Sequence, residues 1–158
     1  MYTLYGSRGS GSAAIEAALV LAGLPFREVR ASTWEADSAQ NDLQRHNPLG
    51  QIPTLVTAAG QVLTESAAIL IHLGHAHPAS GLLPTATAQL DQVVRGLVYV
   101  AANCYAAIGV IDYPERWCEA VEGDEAASTA TLDRIRRGTR ARLHRLWESF
   151  ADQFPTTP

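Results

Sequence analysis

The stretch NPLGQIPTL, residues 47–55, plants Pro53 inside a run that otherwise reads as a strand. Proline has no N–H for a ladder, so such a position marks an edge, a first strand residue or a special backbone geometry. A cis Ile52–Pro53 bond is one such geometry, and it would turn the main chain of Ile52 outward. Downstream, Glu65 and Ser66 precede the apolar run AAILIHL. Ser66 then begins a helix, either as a plain N-cap or beside free N–H groups that favour a carboxylate, and Glu65 can accept from an ammonium. Upstream, the loop GSRGSGS at 6–12 gathers Ser7, Ser10 and Ser12 ahead of an alanine-rich helix, with Ser12 expected as its N-cap.

Other clusters carry less chemistry. His72 and His75 share one helical face in HLGHAH, but no acid or cysteine stands near them, so no metal site is expected. The glycines of the 6–11 loop do not follow G-x-G-x-x-G, and no ribose-binding acid follows a second strand, so a nucleotide fingerprint is set aside. Cys104 and Cys118 are too few for a disulfide framework and read as free thiols in a reducing compartment; the cytoplasm is the expected location. Six arginines crowd RIRRGTRARLHR, residues 134–145, which reads as a solvated helix face.

These residues need a scaffold. The chain has 158 residues, 47% of them hydrophobic and 18% charged, which fits a soluble globular protein of one domain or two small ones. A formal net charge of −4 recruits neither nucleic acid nor an anionic membrane. No secretory signal is read at the start, and no apolar run is expected to span a bilayer. YTLYG and FREVRA alternate as strands around the helix SAAIEAALVLAGLPF, which Gly23 and Pro25 close. A short irregular helix follows within 32–46, then a hairpin IPTLVTA and QVLTE around Ala58–Gly60, then a helix from Ser66 to the residues before Pro78. The order β-α-β, irregular helix, β-β-α predicts a mixed four-stranded sheet with helices on its faces. Residues 78–84 read as a linker. Beyond it two helices are predicted: an apolar one over 85–111, buried on several sides, and an amphipathic one through Leu132, Ile135, Thr139, Leu143, Leu146 and Phe150.

This element order, with NPLGQIPTL leading into the third strand and LTESAAILIHL opening the third helix, resembles the cytosolic glutathione S-transferases. The resemblance implies an α/β thioredoxin-like domain over 1–77, the linker 78–84, and a partial all-helical domain over 85–158, since family members normally continue into a further buried helix. It implies that Pro53 is cis and that Ile52 offers its N–H and C=O to the cysteinyl part of glutathione, a form of strand addition. It places Glu65 and Ser66 at the γ-glutamyl end, with Gln51 assisting. For the glycyl carboxylate the donors are Trp34, Arg45 or His46. A small hydrophobic electrophile would lie near Asn103, Tyr105 and residues 113–117.

The family's chemistry is ionisation of the glutathione thiol. Moving a thiol pKa from about 8.5 down by about two units requires roughly 2.7 kcal/mol of preferential thiolate stabilisation. A hydroxyl donor and a helix N-terminus supply much of that. The position that carries cysteine in the beta-type bacterial enzymes falls at Gly11, so Ser10 is the preferred thiolate donor, with Ser12 beside it and Ser7 weaker. Tyr5 is expected inside the first strand. The implied function is conjugation of glutathione, as co-substrate, by a cytoplasmic homodimer in detoxification. The alternative is a non-catalytic interaction module on the same scaffold, with the arginine helix as its partner surface. Disulfide reduction is not expected, because no C-x-x-C follows the first strand.

Overall fold

The computed structural model describes residues 1–154. The chain divides into two compact units, Met1–Val94 and Arg95–Pro158, so the division falls ten residues past the expected linker, inside a helix. Residues 155–158 of the expected helical domain lie outside the described residues.

In the first unit, strands β1 (Tyr2–Gly6), β2 (Phe26–Arg30), β3 (Thr54–Val56) and β4 (Val62–Thr64) form one sheet in the order β2-β1-β3-β4. β1 runs parallel to β2 and antiparallel to β3, and β3 runs antiparallel to β4. The sheet is therefore the mixed, thioredoxin-like one predicted. Helix α1 (Ser12–Leu21) is the crossover that makes the parallel pair possible. It stops by a Schellman pattern: Gly23 sits at φ +64, its N–H reaches the Val20 carbonyl at 3.0 Å, and the N–H of Leu24 reaches Leu19 at 2.9 Å.

Alternation along the strands sorts the core into two layers. Leu4 and Leu55 face α1 and helix α3 (Ser66–Ala76), where Ile15, Ala18, Leu19, Ile69 and Leu73 are buried with them. Tyr5 points the other way, onto Ala31 and Leu43 of helix α2 (Gln40–His46). Gly74 of α3 has no room for a Cβ because Leu83 packs against it, which seats the linker on this unit.

Helix α4 (Thr87–Tyr99), a π-helical stretch (Val100–Tyr105) and α5 (Ala106–Asp112) replace the single regular helix expected over 85–111. The side-chain amide of Asn103 donates to the Tyr99 carbonyl at 3.2 Å within this wider winding. Across 87–112 the buried residues are Gly96, Cys104 and Ala107, and Val98 and Tyr105 are exposed, so the expected burial on several sides is corrected. The reason is that, within the second unit, one long helix provides most of the cover: α6 (Glu125–Gln153). It begins earlier than its apolar stripe, at Asp124, whose carboxylate accepts from the Ala127 N–H at 2.8 Å. Tyr99, Phe150 and Phe154 stack where α4 and α6 meet. The 26 residues of 87–112 reach a mean hydropathy of 1.6 over their most apolar window, so by length and composition they are sufficient to cross a bilayer, contrary to the sequence expectation. Core helices of globular proteins pass the same test.

Candidate functional site

The sheet register assembles the site. Thr54 pairs with Tyr5 of β1 on one side and with Thr64 of β4 on the other. The next residues at that end of the sheet are Gly6 and Ser7, Ile52 and Pro53, and Glu65 and Ser66. Three segments that are far apart in sequence thus leave the sheet side by side. The Ile52–Pro53 bond is cis, as predicted, and the ladder ends at Thr54, so the peptide groups of Ile52 take no part in it.

A polar clamp that the sequence reading missed holds this segment. Asn47, buried, donates through Nδ2 to the Gln51 carbonyl at 3.0 Å and to Thr54 Oγ1 at 3.2 Å. Thr54 Oγ1 itself donates to the same carbonyl at 2.9 Å. Gly50, at φ +62, closes the turn through its N–H on the Asn47 carbonyl at 2.8 Å. Gln51 stays exposed on the loop these bonds fix. Nothing in the seven positions that separate Asn47 from Thr54 signals this bond in the sequence.

The serine loop is closed on itself. Helix α1 starts at Ser12 with Gly11 at the cap position, so Ser12 is not the N-cap expected. The capping oxygen belongs to Ser10, whose Oγ accepts the Ser12 N–H at 3.2 Å. Ser12 is only 3% exposed; its hydroxyl accepts the Ser7 N–H at 3.1 Å and lies 3.2 Å from the Ser7 carbonyl. Ser10 Oγ donates to that carbonyl at 2.8 Å and lies 2.8 Å from Ser12 Oγ, and Ser10 alone of this pair is half-exposed. The room for this packing comes from Gly6: a Cβ there would stand 2.5 Å from Ser12 Oγ.

Ser7 is buried, and its hydroxyl donates to Glu35 Oε1 at 3.1 Å, tying this loop to the segment between β2 and α2. Trp34, in that same segment, is 58% exposed. Arg45 pairs with Asp42 at 3.5 Å, and the His46 ring packs on Tyr5 with centroids 5.3 Å apart. Tyr5 lies inside β1 as expected, is buried, and donates to Asp42 Oδ2 at 2.7 Å. Burial first, then that hydrogen bond and the carboxylate's charge, push its pKa up to about 12.

Glu65 is the one described non-glycine residue at positive φ, 63° with ψ 111°. A side chain in that region carries strain of about 1–3 kcal/mol, and such residues cluster at ligand sites. It stands exposed at the N-terminus of α3, where Ser66 is the first helical residue and half-buried. Among the described residues no group of three or more His, Cys, Asp or Glu converges to hold a metal ion.

Residues 1–75 match the family described as glutathione S-transferase, N-terminal domain. The chain is 36% identical over 118 residues to the uncharacterized GST-like protein YncG of Escherichia coli, a match covering 74% of this chain and 57% of that protein. It is 30% identical over 149 residues to glutathione S-transferase 1 of Dianthus caryophyllus, covering 90% of this chain and 62% of that one. Among solved structures, a glutathione transferase homologue from Sulfitobacter with bound glutathione superposes with a TM-score of 0.80 at 25% identity, over 96% of this chain and 68% of that one. The chain thus spans less than two thirds of the length of either curated relative. A thioredoxin-like domain followed by helices defines the class, and the match places residues 1–75 within it: this part of the chain is a glutathione S-transferase N-terminal domain, and the chain as a whole has the fold of such proteins.

Proposed function

We propose that this protein is a glutathione transferase that binds glutathione along the main chain of Ile52 and directs its thiolate at a small apolar electrophile. The observation that carries the reading is the meeting, at one end of the sheet, of an unladdered Ile52 main chain, the N-terminus of α3 and the serine loop. The cysteinyl peptide pairs with the Ile52 N–H and C=O as an added strand. The γ-glutamyl carboxylate takes the free amides at Ser66, its ammonium takes Glu65, and Gln51 closes over it. The Trp34 indole N–H serves the glycyl carboxylate.

Ser10 is the thiolate donor in this reading. Its hydroxyl turns from the Ser7 carbonyl toward the sulfur, Ser12 takes over that carbonyl, and Ser10 Oγ keeps the Ser12 N–H. The thiol proton leaves to solvent, the sulfur forms the C–S bond, and the electrophile's leaving group departs with the displaced electron pair. The Sulfitobacter homologue with bound glutathione supports the ligand assignment. The reading extends to a cytoplasmic homodimer in detoxification, with 1–77 as the glutathione domain and 85–158 as helical domain after the linker 78–84. Calorimetry with glutathione tests it: saturable heat with one site is expected. No heat and no thermal shift at millimolar glutathione would turn the reading to the interaction module.

A further inference from the structure

Residues 134–145 of α6 hold six arginines, His144 and no acid. Arg136 pairs with Asp133 at 3.2 Å; Arg134, Arg137, Arg140, Arg142 and Arg145 are exposed and have no ion pair among the described residues. Ordinary solvated helices intersperse acids at three- and four-residue steps, each opposite pair adding about 0.2–0.5 kcal/mol and each like pair removing a similar amount. Here the neighbours are alike: Arg134 and Arg137, Arg137 and Arg140, and Arg142 and Arg145 are three apart, and Arg136 and Arg140 four. Gly138 lies in their midst, and a Cβ there would touch nothing, so packing does not call for it, although glycine costs about 1 kcal/mol against alanine inside a helix. On the ridge Arg134, Gly138, Ala141, Arg145 the two small residues leave the helix backbone approachable between charged ends.

The patch is short and framed. Glu119, Glu122, Asp124, Glu125 and Asp133 precede it, and exposed Glu148 and Asp152 follow on the same face as Arg145. At 1.5 Å per residue the arginines span about 16 Å. A duplex or a bilayer surface extends past both ends and meets those carboxylates. An extended polypeptide covers the same distance in about five residues. We infer that the face of α6 carrying Arg134, Arg137 and Arg145, with Gly138 and Ala141 between them, docks a short acidic polypeptide segment, about five residues long, through bidentate arginine–carboxylate pairs.

Fluorescence anisotropy with the full chain tests this, using a labelled peptide of about five aspartates in a glycine-serine frame. The peptide is expected to bind, and its asparagine counterpart to bind about tenfold more weakly or worse, as the loss of several exposed charge pairs dictates. The triple variant Arg134→Glu, Arg137→Glu, Arg145→Glu, with unchanged circular dichroism, is expected to lose the aspartate peptide to the same degree. Equal binding of the two peptides to the unmodified chain overturns the inference without any variant. So does tighter binding of a short DNA duplex, or of phosphatidylserine vesicles, than of the aspartate peptide.

Discussion

The hydroxyls of Ser10 and Ser12 lie 2.8 Å apart, and one of them caps the helix from outside while the other is sealed beneath it. Their replacement should therefore shift function and stability in different proportions, Ser10→Ala costing the fold only about 1 kcal/mol through its lost cap. Ser10→Ala is expected to raise the pKa of bound glutathione's thiol and to slow conjugation about tenfold, the value of one hydrogen bond to a charged group, with glutathione affinity nearly unchanged. Ser12→Ala is expected instead to destabilise the fold by about 1–3 kcal/mol, because the Ser7 N–H loses its buried acceptor. Thiolate absorbance and urea unfolding distinguish the two; identical behaviour of both variants would contradict the assignment.

Gly6→Ala should lower stability by about 1–3 kcal/mol, since the new methyl collides with a buried hydroxyl rather than a flexible chain end. The urea midpoint measures it. An unchanged midpoint would mean that the serine loop moves freely aside.

Asn47→Ala removes the amide group that donates to the Gln51 carbonyl and to Thr54 Oγ1, leaving the carbonyl its bond from Thr54 alone. A loss of about 1–3 kcal/mol is expected together with weaker glutathione binding, because the segment presenting Ile52 is no longer fixed. Calorimetry on the variant at low temperature, where it stays folded, reads the binding part.

Glu65→Gly is expected to raise thermal stability by about 1 kcal/mol, because glycine adopts positive φ freely. The same change should weaken glutathione binding through loss of the ammonium acceptor. Gain of stability without loss of affinity would remove Glu65 from the proposed site.

Tyr5 holds its proton more tightly folded than unfolded, with a pKa of about 12 against 10.0. Its contribution is complete below the unfolded value and is lost as pH rises between those two, so stability should fall across that window. Tyr5→Phe should flatten that part of the pH–stability curve, and a curve of unchanged shape would rule Tyr5 out as its source.

Much of the first unit was legible because its signals are local. Alternation in YTLYG and FREVRA, the closing Gly23 and Pro25, and the turn at Gly60 each act within a few residues, and the strands and α1 form where those signals stand. Pro53 was legible by contradiction, as a residue that does not belong in a ladder. The role of Ser12 was not, because it depends on Gly6 approaching from β1 and on Ser7 folding back, contacts that no spacing rule encodes. Glu65 was legible as chemistry but not as conformation: its positive φ arises where β4 passes directly into α3. The wide stretch at Val100–Tyr105 was hidden for another reason, since a helix apolar around most of its girth has no stripe whose slippage would betray a change of winding.

That change of winding acts as a phase shifter. A residue in a wider coil advances less around the axis, so the side chains of Ala106–Asp112 lag behind the bearing that Arg95–Tyr99 would have projected for them. Within the second unit, Arg95–Tyr99 and Ala106–Asp112 thereby offer differently aimed surfaces, and deleting a single residue between 100 and 105 would re-aim the one against the other.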